Sequence, residues 1–197
     1  MSTEEIRNQK RVIRKANKEK RAEMPKDIKA EKDRKICDYI INSMSFKYAD
    51  VLLMFCPTNE EINILPLFEA AKKEGKRVAF PKCYAKGIMK FFYVDDLSLL
   101  VEGKYGIKAP NEGEEFVSSL HPLCIVPSLS ATKKGTRLGY GGGFYDRFLH
   151  KFEGISICVQ YDEFVTEELP QEKRYDKKFD VLVTESGVEV IGSEKKV

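Results

Sequence analysis

The sequence contains no apolar run approaching the roughly 20 residues that a membrane-spanning helix needs. Its first residues, MSTEEIRNQKR, lack the apolar stretch of a secretory signal, and their mix of Glu and Lys is unlike a transit peptide. These absences point to a cytoplasmic protein with no membrane partner. Histidine is scarce, with His121 and His150 far apart in the chain. Cys37, Cys56, Cys83, Cys124 and Cys158 are odd in number and include no C-x-x-C pair. A disulfide framework, a zinc site and a histidine-rich metal site are all disfavoured, and the cysteines read as small hydrophobes in a reducing compartment. No repeat, low-complexity tract or linker divides the chain, and 197 residues suit one domain, 1–197, with a real core.

Charge is present but unevenly placed. Net charge is +3, yet residues 1–35 carry thirteen Lys/Arg against seven Asp/Glu, a surplus of +6 that leaves −3 for the rest. Phosphate-bearing ligands suit such a segment. Its seven acids, and the lack of any RNA-binding signature, argue against nucleic acid.

Residues 4–22 are rich in helix formers and free of Pro and Gly. Asp27 is a candidate cap for a second helix reaching about Met44, with Ile28, Ile36, Tyr39, Ile40 and Met44 as its buried stripe. Strands and helices then alternate. Strands are expected at Val51–Phe55, at Arg77–Phe80 with Pro81 as the stop, and at Met89–Val94. Further strands are expected at Leu123–Val126, Ile155–Gln160 and Val181–Val183. Helices are expected at Glu60–Glu74 and Phe144–Phe152. Alternation of this kind implies an α/β fold with a mostly parallel sheet flanked by helices. Ligands of such sheets bind beyond the strands' carboxyl ends, which directs attention to the segments after Phe55, Phe80 and Val126.

The segment PSLSATKKGTRLGYGGGFYDRFL, Pro127 to Leu149, follows a strand and enters a helix. Gly135, Gly139, Gly141, Gly142 and Gly143 let backbone N–H groups approach a ligand closely, and Lys133, Lys134 and Arg137 add positive charge. It is neither a G-x-x-x-x-G-K-[ST] loop nor a G-x-G-x-x-G fingerprint. A polyphosphate fits it. Asp146, at the helix entrance, is either a dipole partner or, beside phosphates, a magnesium ligand. Asp180, at the head of DVLVT, reads on spacing alone as a strand-end residue.

The string RLGYGGGFYD, Arg137 to Asp146, resembles the signature of 5-formyltetrahydrofolate cyclo-ligases, also called methenyltetrahydrofolate synthetases. So do KRVIR (Lys10–Arg14), PTNEEIN (Pro57–Asn63), FPK (Phe80–Lys82), IVPSL (Ile125–Leu129) and LPQEKRYDKKFDVLVT (Leu169–Thr184), in order and across nearly the whole chain. The resemblance implies a sugar-isomerase/CoA-transferase-like α/β fold with an N-terminal helical segment. It also implies ATP as co-substrate, Mg2+ as cofactor and 5-formyltetrahydrofolate as substrate, in a monomer. Carried over by residue, Lys10, Arg11, Val12, Ile13 and Arg14 would contact ATP. Arg137, Leu138, Gly139, Tyr140, Gly141, Gly142, Gly143, Phe144 and Tyr145 would wrap its phosphates. Asp146 and Asp180 would hold magnesium, and Cys56 and Glu61 would contact the folate. Thr132 stands where the family often has Asp, which questions a capping role there, and Phe144 replaces a common Tyr.

The implied reaction moves a phosphoryl group onto a formamide oxygen, so alignment and charge stabilisation matter more than a nucleophilic side chain. Arg137 and Lys10 are the candidate catalytic residues. Lys10 and Arg14, spaced i, i+4, share a helix face, and Lys18 is left to solvent. A pterin offers an amino group and a ring N–H side by side, which one carboxylate can accept together. Glu61 is the candidate and Glu60 its competitor. Tyr105, between Gly103 and Gly106, is the candidate exposed aromatic wall.

Overall fold

The computed structural model describes residues 2–103, 106–172 and 175–192, apart from the Lys86 side chain. Tyr105 lies outside the described residues.

Helix α1 (Thr3–Ala22) is capped by Ser2, which shares a reciprocal capping box with Glu5. Its buried residues are Lys10 and Arg21, so a polar face rather than an apolar stripe attaches it. Helix α2 (Lys26–Asn42) starts after Pro25 with no side-chain cap, and the expected cap Asp27 sits inside its first turn. Ser43 ends it and caps the short α3 (Met44–Tyr48). Ile36 and Ile40 are buried as expected, but Ile28, Tyr39 and Met44 are exposed, because Cys37 and Asp33 occupy the inward face.

In chain order the strands are β1 (Val51–Leu53), β2 (Arg77–Cys83), β3 (Met89–Tyr93), β4 (Leu100–Glu102), β5 (Lys108–Pro110), β6 (Pro122–Val126), β7 (Ser130–Ala131), β8 (Arg137–Leu138), β9 (Ile155–Val159), β10 (Val181–Thr184) and β11 (Gly187–Val190). The main sheet is 7-stranded, in the order β11–β10–β9–β6–β1–β2–β3. β10, β9, β6, β1 and β2 run parallel, and β3 and β11 are antiparallel edges. Continuous apolar runs such as Pro122–Val126 are what a strand covered on both faces requires. Leu52, Met54, Leu123 and Ile125 pack on one face with α2 and with α4 (Pro66–Lys73), through Ile36, Ile40 and Phe68. Val51, Leu53, Cys124 and Val126 pack on the other, with Phe91 and with Leu149 of α5 (Phe144–Leu149).

Three expectations change. The helix expected over Glu60–Glu74 begins only at Pro66, a residue suited to a first helical turn and costly inside a helix. Pro81 does not stop β2. β1 pairs with β2 only as far as Ala79, and beyond it β2 continues as an outer strand against β3, where a missing N–H is tolerated. Helix α5 ends at Leu149 rather than Phe152. Two small antiparallel pairs, β4 with β5 and β7 with β8, are too short to read from periodicity.

From β1 the chain steps one way to β2 and later the other way, from β6 to β9 and β10. The switch point therefore lies between β1 and β6, and a crevice is expected at their carboxyl ends. Phe55–Glu61 and Pro127–Asp146 leave the sheet at that crevice.

Candidate functional site

A cleft of about 1530 Å³ opens there. Ordinary small-molecule pockets measure roughly 300–1000 Å³, so this cleft has room for two ligands. Lys10, Arg14, Arg137 to Asp146, Glu172 and Asp176 line one part, and Cys56, Glu60, Glu61, Lys82 and Lys108 line another.

The glycine loop hangs from the β7–β8 hairpin. Thr132 accepts hydrogen bonds from the N–H groups of Lys134 (3.3 Å) and Thr136 (3.2 Å), so its hydroxyl takes up the capping role that the missing Asp put in question. Gly135 completes that turn at φ 85°. Arg137, on β8, is 7% exposed and donates to Asp146 Oδ1 at 2.8 Å, and its Nε has no partner among the described residues. Every residue from Arg137 to Tyr145 lines the cleft. Burial pushes the Tyr145 phenol well above its ordinary range, and its hydroxyl too has no partner among the described residues.

Helix α1 closes one wall. Lys10 Nζ donates to Asp176 Oδ2 at 2.7 Å and Arg14 Nε to the Gly139 carbonyl at 2.8 Å. Asn17 donates to the Leu129 carbonyl at 2.9 Å and Arg21 to that of Ser128 at 2.7 Å. Residues 10, 14, 17 and 21 share one helix face, so α1 is fastened by hydrogen bonds to the strand-end loops. Burial holds the Arg14 pKa below its ordinary value, and Asp176 and Asp146 partly oppose it. Both carboxylates therefore act on the same corner of the cleft.

On the opposite wall Glu61, 7% exposed, closes a turn: Thr58 N–H donates to Glu61 Oε2 at 2.9 Å, and Glu61 N–H to the Thr58 carbonyl at 3.1 Å. Burial first, and the charge of nearby Glu61 second, push the Tyr140 phenol well above its usual range. Burial raises the Cys56 thiol, Lys108 opposes this and Glu61 adds to it.

The structure brings together Lys10, Arg14, the whole 137–146 loop, Cys56 and Glu61. It does not bring in Arg11, Val12 or Ile13, which do not line the cleft; Val12 is 65% exposed. Arg7 and Lys18 do line it; Lys18 is exposed as expected, with its Nζ 5.3 Å from the Tyr140 ring centroid. Helical spacing from Lys10 points to Arg7. Asp180 stands apart from the cleft. It precedes β10, at the amino end of a parallel strand, and its Oδ2 accepts from Ser156 N–H (2.8 Å) and Ser156 Oγ–H (2.5 Å). The acid beside Asp146 is Asp176, which nothing in its sequence surroundings singles out. Among the described residues no cluster of three or more His, Cys, Asp or Glu forms a metal cage. Mg2+ needs no such cage, only one or two carboxylates with phosphate oxygens and water. Asp146 and Asp176 fit that requirement and Asp180 does not.

The sheet, its switch-point crevice and the glycine loop beside Lys10, Arg14 and Arg137 define an α/β protein with a large cationic-walled cleft at the strands' carboxyl ends. A family model described as the 5-formyltetrahydrofolate cyclo-ligase family matches residues 6–185. The chain belongs to that family of ligases. It is similar to a probable 5-formyltetrahydrofolate cyclo-ligase of Schizosaccharomyces pombe, with 28% identity over 180 residues, covering 76% of this chain and 88% of the relative. The 5-formyltetrahydrofolate cyclo-ligase of Escherichia coli K12 is 31% identical over 147 residues, covering 71% of this chain and 80% of the relative. The NMR structure of Aquifex aeolicus 5,10-methenyltetrahydrofolate synthetase superimposes with a TM-score of 0.83, at 29% identity, over 95% of each chain.

Proposed function

We propose that residues 1–197 form a single cyclo-ligase domain. It converts 5-formyltetrahydrofolate and ATP into 5,10-methenyltetrahydrofolate, ADP and phosphate, with Mg2+, as a cytoplasmic monomer. The observation that carries this reading is a cleft lined at once by the cations Lys10, Arg14 and Arg137, by the glycine loop, and by Cys56 and Glu61.

ATP phosphates belong against Lys10, Arg14 and residues 137–145, where cations and free backbone N–H groups neutralise spread charge. The formyl oxygen attacks the γ-phosphorus and ADP departs, giving an iminium phosphate. N10 of the same folate then attacks that carbon, the ring closes, and phosphate leaves with the former formyl oxygen as N10 loses its proton. Arg137 is the catalytic group for the transferring phosphoryl, and Lys10 holds the phosphate chain. Asp146 and Asp176 would hold Mg2+, which would supply further charge neutralisation. Glu61 accepts the pterin amino group and ring N–H, and Cys56 lines the same subsite.

The test mixes protein, ATP, Mg2+ and 5-formyltetrahydrofolate and follows the methenyl product by absorbance. Product is expected only when all four are present. Equal turnover without ATP contradicts the reading.

A further inference from the structure

Helix α1 carries cations proposed for the phosphates, yet no buried apolar stripe holds it in place. Its fully buried residues are Lys10 and Arg21. Lys10, Arg14, Asn17 and Arg21 lie within about 60° of one another around the helix, at about 100° per residue, and each bonds to the body of the protein. Lys10 and Arg14 bond to Asp176 and to the Gly139 carbonyl, both in the wall of the cleft, so incoming phosphates compete for these cations. Asn17 and Arg21 do not line the cleft and bond elsewhere, to the carbonyls of Leu129 and Ser128. Phosphates leave those two bonds undisturbed.

The two carbonyls belong to the root of the glycine loop. Leu129 N–H donates to the Leu138 carbonyl at 2.7 Å, one residue before Gly139, so Leu129 is bonded at once to α1 and to the loop. Arg21 is seated more deeply. It is 4% exposed, with its guanidinium 5.0 Å from the Phe164 ring centroid and 5.6 Å from that of Tyr161. The nitrogen that donates to Ser128 also donates to the Gln160 side-chain oxygen, and buried Gln160 is itself fixed by donating to Ser128 Oγ at 2.8 Å. Lys10, Arg7 and Lys15 on the same helix each pair with an acid, whereas Arg21 is in no ion pair among the described residues. An apolar side chain would fill such a buried place at less cost than an unpaired cation. It would not fix the rotation of the helix, because apolar contacts are non-directional. Hydrogen bonds from Asn17 and Arg21 do fix it.

We propose that Asn17 and Arg21 are positioning residues for ATP: they pin the rotation and register of α1 against the root of the glycine loop and so aim Lys10 and Arg14 at the phosphates. A slip of one residue would turn both cations by about 100° and move them about 1.5 Å along the axis. From Arg21 the helix carries this setting about 10 Å to Arg14 and about 16 Å to Lys10, at about 1.5 Å per residue. Asn17 and Arg21 touch no substrate and act through the two cations. This inference rests on the ATP reading of the cleft.

The experiment measures equilibrium binding of ATP with Mg2+ and, separately, of 5-formyltetrahydrofolate, with steady-state kinetics alongside. Parent, Asn17→Ala, Arg21→Met and Arg21→Lys are compared, with circular dichroism as the folding control. Asn17→Ala decides the matter should Arg21→Met not fold, since Ala is the best helix former. Asn17→Ala and Arg21→Met are each expected to weaken ATP binding by roughly tenfold, as when one charge-assisted phosphate bond is misplaced. Folate affinity and kcat are expected to change little. Arg21→Lys, whose ammonium can still donate to both oxygens, is expected to recover most of the ATP affinity. In a chain already carrying Lys10→Met and Arg14→Met, adding Arg21→Met is expected to cost no further ATP affinity, because no cation is left to aim. Parent-like ATP affinity in Asn17→Ala, or in a folded Arg21→Met chain, overturns the proposal. So does equal weakening of ATP and folate binding, or a full further loss in the Lys10→Met, Arg14→Met chain; either makes the pair a general structural clamp. A parent that binds folate but no ATP overturns both this inference and the ATP reading.

Discussion

Arg137 and Asp146 hold each other at 2.8 Å, with Arg137 nearly buried. Arg137 is therefore already oriented for the phosphate contact proposed above. Replacing it with Ala is expected to lower turnover by about 100-fold or more, the cost of removing one fixed charge-stabilising donor, while folate affinity changes little. Near-normal turnover would return Arg137 to a structural part in the loop. The two candidate magnesium acids separate cleanly. Asp146→Asn and Asp176→Asn are each expected to raise the Mg2+ concentration for half-maximal rate, with partial rescue by excess Mg2+. Asp180→Asn is expected to leave that concentration unchanged and to cost about 1 kcal/mol of stability through its Ser156 bonds. Thermal unfolding and Mg2+ titration together decide the assignment. The misplacement of Asp180 has a physical origin: four residues on from Asp176, it lies where the chain has already passed from the cleft wall to the far end of β10. Spacing in a sequence does not reveal such a passage.

Helices and strands of ordinary length are legible in the sequence, because burial on one or both faces writes a period into them. The strands at 51, 77, 89, 123, 155 and 181 all lie where apolar runs place them. Helix α4 is shorter than its sequence suggests because Glu60–Leu65 has helix-forming composition. Its backbone instead turns to bring Glu61 into the cleft, and the signal for this, Pro66 as a helix opener, is in plain view. Helix α1 is legible as a helix but not as a wall of the site, since its inward face carries Lys10, Arg14, Asn17 and Arg21. No hydrophobic stripe marks that face. The glycine loop answers to backbone geometry instead. Gly141 has φ 108°, a conformation that strains an L side chain, and a Cβ there would lie 3.5 Å from Arg14. Gly141→Ala is expected to cost about 1–3 kcal/mol locally, which the loop relieves by shifting. The expected result is a raised KM for ATP with an unchanged KM for folate in steady-state kinetics.

The whole molecule joins two binding walls across one topological switch. β1 delivers Cys56 and Glu61, β6 delivers the glycine loop, and α1 is fastened to the segments that follow β6. An arrangement of this kind serves a reaction in which one substrate must be phosphorylated by the other without water intervening. The central claim is that the formyl oxygen itself receives the phosphoryl group. It is tested most directly by running the reaction with 5-formyltetrahydrofolate labelled with oxygen-18 in the formyl group and analysing the released phosphate by mass spectrometry. One labelled oxygen per phosphate is the expected result. Phosphate that takes its new oxygen from solvent, with the label lost elsewhere, would contradict the account.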